Sequence, residues 1–447
     1  MIMTGEKVAI LGLARSGIAA ADLVKRLGGE VFLSELKPAL QVPNAAELSS
    51  KYECEFGGHT DRVLSARMIV VSPGIPLNVP ILEKARAKGI EVISEIELGY
   101  RLMHPSAKVI AVTGSNGKST VVSLIHHILK HLGYRSVLAG NIGVAFTGFP
   151  VDQPGTDFYV LEISSFQLEA VRTFRPAVAA LLNITPDHLN RYSAMSEYAH
   201  AKANIFKAQT HDDFAILNAD DRLVATVTGD VVAARRTFSL GRKADATFDG
   251  KFLRFPGFEL HPGEFHLKGP HNLANIMAAV LAVLPFAVGR EEEIRAAIAS
   301  FLPLEHRLEY VATVHGVDFI NDSKATNTDS VHYALLSYDR PLRVILGGSD
   351  KGEDYSVLRD DLKRSTVKAY LVGQTREKMR KELSGSVELA MCEGFREAVT
   401  QAYRESRPGD LVLLSPACAS YDMFQNFEHR GNTFKEIVRE FARENGQ

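Results

Sequence analysis

The segment Lys108-Val109-Ile110-Ala111-Val112-Thr113-Gly114-Ser115-Asn116-Gly117-Lys118-Ser119-Thr120 constrains this chain more than any other, because it reads as an apolar strand, a glycine-rich turn and the start of a helix. Gly114 and Gly117 let the backbone approach an anion, and the helix entered near Lys118 points unpaired N–H groups at it. Lys118 adds a cation and Ser119 can ligate Mg2+, so a nucleoside triphosphate is the expected ligand. The usual phosphate loop has a glycine five residues before the one preceding lysine. Val112 holds that place here, which makes the loop a shorter variant. The plain alternative is a Ser/Asn/Gly turn capping a helix that contains Lys-Ser-Thr.

The surrounding pattern is that of an α/β chain. Short apolar runs alternate with amphipathic stretches: Val8 to Leu11, Ser16 to Leu27, Val31 to Leu33, Met68 to Val71 and Pro80 to Lys88. That order predicts a parallel, doubly wound sheet. Gly12-Leu13-Ala14-Arg15-Ser16-Gly17 follows the first strand where a dinucleotide fingerprint would sit, but Ala14 takes the place of its second glycine. The turn suits a nucleotide-like phosphate better than a nicotinamide cofactor.

His104-Pro105-Ser106 is a connector, since the residue before proline is pushed out of helix. The phosphate strand begins just after it. The following unit continues through Phe158 to Glu162, Ala177 to Leu182 and the helical Glu197 to Lys207. An irregular stretch with β character (Thr247 to Leu267) and the helix Asn272 to Leu284 complete it. Beyond Phe301-Leu302-Pro303-Leu304 a third α/β unit has strands at Val317 to Ile320, Arg343 to Leu346, Ala369 to Val372 and Leu411 to Leu414. The expected domains are therefore 1–103, 104–303 and 304–447, as befits 447 residues.

With 51 Lys+Arg against 53 Asp+Glu, no basic field argues for nucleic acid or a membrane surface, so the partners should be small molecules. Cys54, Cys392 and Cys418 are too scattered for a disulfide framework or a zinc site, which suits a reducing cytoplasm. Met1 to Glu6 shows no basic-plus-apolar leader, and no run is long enough to span a bilayer.

Several polar groups follow apolar strands. Glu162 ends one, where a metal-holding acid belongs beside a phosphate loop, although strand-end glutamates are often merely solvated. Asn183-Ile184-Thr185-Pro186-Asp187-His188 follows the next strand, and Lys202 lies on the helix beyond. On residue type alone His188 is as well read as a capping histidine and Lys202 as a solvated helix face. In the third unit, Glu305-His306-Arg307-Leu308-Glu309 opens the domain. Asn321-Asp322-Ser323-Lys324-Ala325-Thr326-Asn327, Gly347-Gly348-Ser349-Asp350-Lys351 and the run from Ser415 to Gly431 leave three strands. Such loops at the carboxyl ends of adjacent strands form one crevice.

These blocks resemble the Mur ligase family from Gly12 to Gly431, and that family carries Gly-x-x-Gly-Lys-Ser/Thr in place of the longer phosphate loop. Asn-Asp-Ser-Lys-Ala-Thr-Asn (321–327), Ser-Pro-Ala-Cys-Ala-Ser (415–420) and Phe-Glu-x-Arg-Gly (427–431) are similar to its D-glutamate branch. The Asp-Asn-Pro-Arg signature of the diamino-acid branch is absent. A sibling muramyl ligase or a folylpolyglutamate synthase would share the ATPase core but not the third-domain blocks.

The resemblance implies three domains: an N-terminal Rossmann-like one for the uridine diphosphate substrate, a central P-loop-type ATPase, and a Rossmann-like C-terminal one for the amino acid. It implies a monomer that forms an amide from UDP-N-acetylmuramoyl-L-alanine and D-glutamate at the expense of ATP, with two Mg2+ ions. Residue by residue, it places ATP on Gly114, Ser115, Asn116, Gly117, Lys118, Ser119, Thr120, Asn272, Arg307 and Asp322. Metal falls to Ser119, Glu162, His188 and Lys202, the last carbamylated by CO2, and catalysis to Lys118, Glu162, His188 and Lys202. The uridine substrate would meet Arg15, Ser16, Ser34, Ser72, Pro73, Gly74, Asn141 and His188, and D-glutamate would meet Lys324, Thr326, Lys351, Ser420 and Phe427. Asn190 and Met423 depart from the family pattern, so neither receives a role.

Overall fold

The computed structural model describes residues 5–187 and 191–444. Among them the strands form three sheets. The first contains β1 (Lys7–Leu11), β2 (Glu30–Glu35), β3 (Glu53–Phe56), β4 (Met68–Val71) and β5 (Glu91–Ser94), all parallel, in the order β3-β2-β1-β4-β5. Alternate residues serve opposite faces: Val8, Ile10 and Leu33 pack with Val24 and Leu98, while Ala9, Phe32 and Ile69 pack with Leu82 and Ala85. Helix Arg15–Arg26 buries Gly17, Ala20, Ala21 and Val24, the i, i+3, i+4, i+7 stripe that fits it to a sheet. Strand order reverses between β1 and β4, where a doubly wound sheet opens its crevice.

The second sheet contains β6 (Lys108–Thr113), β7 (Ser136–Gly140), β8 (Phe158–Glu162), β9 (Val178–Leu181), β10 (Phe214–Asn218), β11 (Ala234–Ser239), β12 (Ala246–Phe248), β13 (Leu253–Phe255) and β14 (Phe258–Leu260). Its order is β14-β13-β12-β11-β10-β9-β6-β8-β7. The stretch expected to be irregular resolves into a short antiparallel meander, β12 to β14, because Asp249 accepts the Lys251 and Phe252 N–H groups and turns the chain.

The third sheet contains β15 (Glu309–Val314), β16 (Val317–Asn321), β17 (Leu342–Leu346), β18 (Thr366–Leu371), β19 (Glu388–Met391) and β20 (Leu411–Leu414), in the order β15-β16-β20-β17-β18-β19. Only β15 runs antiparallel. It is a partly exposed edge strand with little apolar alternation, so its pattern is weak in the sequence.

The chain packs into two compact units. One holds the described residues up to Ile184 together with Arg191–His261 and Ala274–Ala299, and so contains the first two sheets. The other holds Pro262–Leu273, Thr185 to Asp187, and the described residues from Ser300 onward.

Two buried acids on helix Glu95–Leu102 explain why the first two sheets share a unit. Glu95 accepts the backbone N–H of Thr147 at 2.6 Å and its hydroxyl at 2.7 Å, and burial pushes its carboxyl above the usual range. Glu97 accepts the N–H groups of Arg172, Thr173 and Phe174 at 2.8–2.9 Å. It also accepts the Thr173 hydroxyl at 2.6 Å and Arg101 Nε at 2.7 Å. Burial alone would raise the Glu97 pKa, but these bonds outweigh it and hold the group below the ordinary carboxylate range. Leu23 and Ile96 join the same apolar cluster as Phe146 and Tyr159.

Candidate active site

The phosphate loop joins β6 to helix Lys118–His131. Gly117, the residue before that helix, has φ +86°, and a Cβ there would overlap Asn275 Oδ1, so only glycine fits. Asn183, which follows β9, fastens the loop from the next strand. Its carbonyl accepts Ser115 N–H at 2.9 Å, and its side chain accepts Asn116 N–H at 2.8 Å and donates to the Asn116 carbonyl at 3.1 Å.

Several polar side chains gather around this loop. Lys118 Nζ donates to the carbonyls of Gly114 at 2.7 Å and Ser115 at 2.8 Å. Ser119 Oγ donates to Glu162 Oε2 at 2.6 Å, and Asn141 Nδ2 donates to Glu162 Oε1 at 2.8 Å. Sheet register explains the meeting: Glu162 on β8 pairs with Val112 on β6 and with Gly140 on β7. Lys202, only 1% exposed on helix Met195–Ala203, donates to the Gly114 carbonyl at 2.8 Å. Its ammonium lies 4.4 Å from the Tyr198 ring centre, and the Tyr198 hydroxyl is 3.1 Å from Ser115 Oγ. Thr120 is buried one residue beyond Ser119. His188 and Asn190 lie outside the described residues.

The oxygen donors at this point, the Ser119 hydroxyl and the Glu162 carboxylate, are hard and buried, which suits Mg2+. Among the described residues, Glu305, His306 and Glu309 also cluster closely enough to hold an ion. Lys435 already donates to both acids there, so their charge is met from within the chain.

Of the residues expected around the uridine diphosphate, Arg15, Ser16 and Ser72 to Gly74 sit at the β1/β4 reversal. Arg15 and Ser16 begin helix Arg15–Arg26, and Arg15 Nη1 donates to the Gly143 carbonyl at 3.0 Å. Ser72 Oγ donates to the Gly12 carbonyl at 2.7 Å, and the Ser72 carbonyl accepts Ile75 N–H to form the turn through Pro73 and Gly74. Ser34 is fully buried and donates to Glu55 Oε1 at 2.6 Å, so its hydroxyl serves the domain itself.

The remaining candidates belong to the second unit. Asn272 Nδ2 donates to the Lys268 carbonyl at 2.7 Å. Arg307 lies between His306 and Leu308, which have φ of +64° and +44°. Asp322 accepts Ser415 Oγ–H at 2.9 Å and Leu308 N–H at 3.3 Å, and burial pushes its carboxyl up to about 7 against the pull of these bonds and of Arg307.

Three loops leave the carboxyl ends of β16, β20 and β17, which are adjacent and parallel, as the crevice argument requires. The first carries Lys324, whose Nζ is 5.1 Å from the Phe427 ring centre, and Thr326, whose N–H donates to the Lys324 carbonyl. The second carries Ser420, whose carbonyl accepts the Met423 and Phe424 N–H groups. The third carries the exposed Lys351. Ser349 N–H donates to the Ala419 carbonyl at 2.9 Å and ties the last two together.

Tyr198 escaped the sequence reading, and Asn183 opened a polar run there without being given a role. Tyr198 precedes Lys202 by four residues, one helical turn, and that spacing was a usable signal. Asn183 had none beyond its place after a strand.

A phosphate-loop domain with an acid on the neighbouring strand, preceded and followed along the chain by further α/β sheets, defines a three-domain nucleotide-binding protein. Family models narrow the class. The Mur ligase MurD-like N-terminal domain matches residues 6–94, the Mur ligase middle domain 112–283, and the Mur ligase glutamate ligase domain 306–418. The chain belongs to the Mur ligase family and has its architecture of N-terminal, middle and C-terminal α/β domains.

Among relatives, the UDP-N-acetylmuramoylalanine–D-glutamate ligase of Koribacter versatilis is 42% identical over 99% of this chain and 99% of its own length. That of Salinibacter ruber is 42% identical over 97% of each. Two solved structures share the fold. A pseudomurein peptide ligase type C from Methanothermus fervidus has TM-score 0.62 at 17% identity, covering 98% of this chain and 100% of that one. The UDP-N-acetylmuramate-alanine ligase of Thermotoga maritima has TM-score 0.59 at 17% identity, covering 97% and 99%.

Proposed function

We propose that this chain is an ATP-dependent amide ligase that adds D-glutamate to UDP-N-acetylmuramoyl-L-alanine during cytoplasmic synthesis of peptidoglycan precursors. The observation that carries the proposal is the convergence of Lys118, Ser119, Glu162 and Lys202 at one loop, in a chain aligned end to end with ligases of that name. The domains would be 1–103 for the uridine diphosphate substrate, 104–303 for ATP and 304–447 for the amino acid, in a monomer. No helix among the described residues is long and apolar enough to cross a membrane.

In this reading the terminal carboxylate of the muramoyl substrate attacks the γ-phosphorus of ATP, ADP leaves and an acyl phosphate forms. The amine of D-glutamate attacks the acyl carbon, and the tetrahedral intermediate expels phosphate and loses a proton. Loop N–H groups and Lys118 hold the phosphates, and the Lys118 ammonium offsets charge on the transferring phosphoryl group. Asn141 orients Glu162. Ser119, Glu162 and His188 would hold Mg2+, which when bound offsets phosphate charge. Asn272, Arg307 and Asp322 would complete the nucleotide site.

Lys202 is the candidate for carbamylation. Its ammonium and that of Lys118 both donate to the Gly114 carbonyl, which places the lysine beside the phosphate loop. A neutral amine adds to CO2 and releases a proton, and the resulting anion offers Mg2+ hard oxygens. In the C-terminal crevice, Lys324, Lys351, Thr326 and Ser420 would receive the two carboxylates of the acceptor beside Phe427.

An omission assay tests the reading. Sustained ADP release over many turnovers should require ATP, the nucleotide sugar and D-glutamate together. ADP release at the full rate without the nucleotide sugar would overturn it.

A further inference from the structure

Arg430 is fully buried, 0% exposed, in helix Phe427–Glu444, and none of the roles above uses it. A buried guanidinium is normally matched by a carboxylate, because removing its charge from water is expensive. Here its hydrogen bonds go to uncharged oxygens instead. Nε donates to Ser323 Oγ at 3.0 Å, Nη2 to the carbonyls of Ser323 at 2.7 Å and Cys418 at 3.1 Å, and Nη1 to the carbonyl of Ala419 at 3.4 Å.

The nearby acids are engaged elsewhere. Asp422 accepts Gln374 N–H at 2.9 Å and Ser349 Oγ–H at 3.3 Å, while Asp322 accepts from Ser415 and Leu308. Burial lowers the Arg430 pKa to about 10, with Cys418, Asp422 and Asp322 opposing the fall, so the proton stays on at neutral pH.

The partners of Arg430 have one thing in common. Ser323 adjoins Lys324, and Cys418 and Ala419 adjoin Ser420, so two of the three crevice loops are fastened to this guanidinium. The third passes over it: a Cβ on Gly348 (φ +150°) would stand 3.2 Å from Arg430 Nη1 and overlap the Ala419 carbonyl oxygen.

We propose that Arg430 is a positioning residue for the acceptor amino acid, holding the loops of Lys324, Thr326 and Ser420 in register and setting a fixed positive charge behind a crevice that receives a dicarboxylate. The charge acts through low-dielectric protein, where its field reaches further than in water, and it is left for the incoming carboxylates to balance. A neutral side chain could bridge some of the same carbonyls but would not supply that field. The inference rests on the assignment of this crevice to the acceptor.

Steady-state kinetics of the full chain, with D-glutamate, ATP and nucleotide sugar varied in turn, test it in Arg430→Met, Arg430→Lys and Lys351→Ala. In Arg430→Met the KM for D-glutamate should rise about 20-fold while the other two KM values stay within about twofold. Arg430→Lys, which restores charge without the planar fork, should recover to within about fivefold of the parent. An unchanged D-glutamate KM in Arg430→Met, with Lys351→Ala raising it, would overturn the role of Arg430 alone. An equal rise for all three substrates would reduce Arg430 to a structural residue. If Lys351→Ala also left the D-glutamate KM unchanged, the crevice assignment itself would fall. Should Arg430→Met not fold, Ser323→Ala removes one acceptor without stranding the charge. It should raise the same KM about threefold, and no change there would equally refute the proposal.

Discussion

Lys118 and Lys202 place their ammonium groups on one carbonyl oxygen, that of Gly114, and each makes a separate prediction. Lys118→Ala should fold as the parent does, since its amine donates to carbonyls of its own loop, yet kcat should fall at least about 100-fold because the transferring phosphoryl group loses its cation. Near-parental turnover with an unchanged melting temperature would remove Lys118 from the mechanism. Lys202→Ala should be nearly inactive and partly rescued by acetate or formate, small carboxylates able to take the place of a carbamate. Full activity of this variant in CO2-free buffer, indifferent to added carboxylate, would end the carbamate proposal. Lys118, Ser119 and the loop glycines were legible because their chemistry is written at fixed spacing within one segment. Glu162 was legible only as a strand end beside that segment. Lys202 carried no local signal, since a lysine on a helix is usually solvated, and it is the packing of Tyr198 and the loop that buries it. Arg430 lay inside a quoted block, but its burial depends on three loops distant in sequence.

Whole strands and helices were easier to anticipate where apolar runs are continuous. Met68–Val71, Phe158–Glu162 and Leu411–Leu414 fall where the pattern puts them. The short strands Glu53–Phe56 and Glu388–Met391 were missed because they are edge strands with charged residues and little alternation. Helix Glu95–Leu102 was missed as well. Ser94 caps the helix by accepting Glu97 N–H, and Glu97 is buried among the N–H groups of residues 172–174. Glu97→Gln should destabilise the protein by about 2–3 kcal/mol at pH 7, because an amide NH2 would face those donors. The pH dependence has a defined sign. The folded pKa of Glu97 lies below the ordinary 4.5, so its contribution is present above that value and is lost as pH falls through the folded pKa. Urea melts between pH 7 and pH 3 should therefore show the parent and Glu97→Gln converging in acid, whereas parallel curves would contradict this account of the clamp.

At the scale of the molecule, alternating strands and helices with connectors near His104 and Pro303 pointed to three α/β domains, and three sheets are present. What the pattern could not reveal is that the first two sheets share one compact unit, because the responsible contacts join Glu95 and Glu97 to residues far along the chain. Acceptor choice belongs to this scale too, since it depends on three loops of one sheet and on the phosphate chemistry of another domain. A pocket that anchors both carboxylates of D-glutamate would turn the amine of the L enantiomer away from the acyl phosphate, and the advantage of a positioned nucleophile would be lost. The most direct measurement is phosphate release and product mass with ATP, UDP-N-acetylmuramoyl-L-alanine and, in turn, D-glutamate, L-glutamate, L-alanine and a diamino acid. The account predicts rapid turnover with D-glutamate, a product heavier by one glutamyl residue, and at least about 100-fold lower kcat/KM for the other three. Equal use of the two glutamate enantiomers, or preference for L-alanine or the diamino acid, would contradict it.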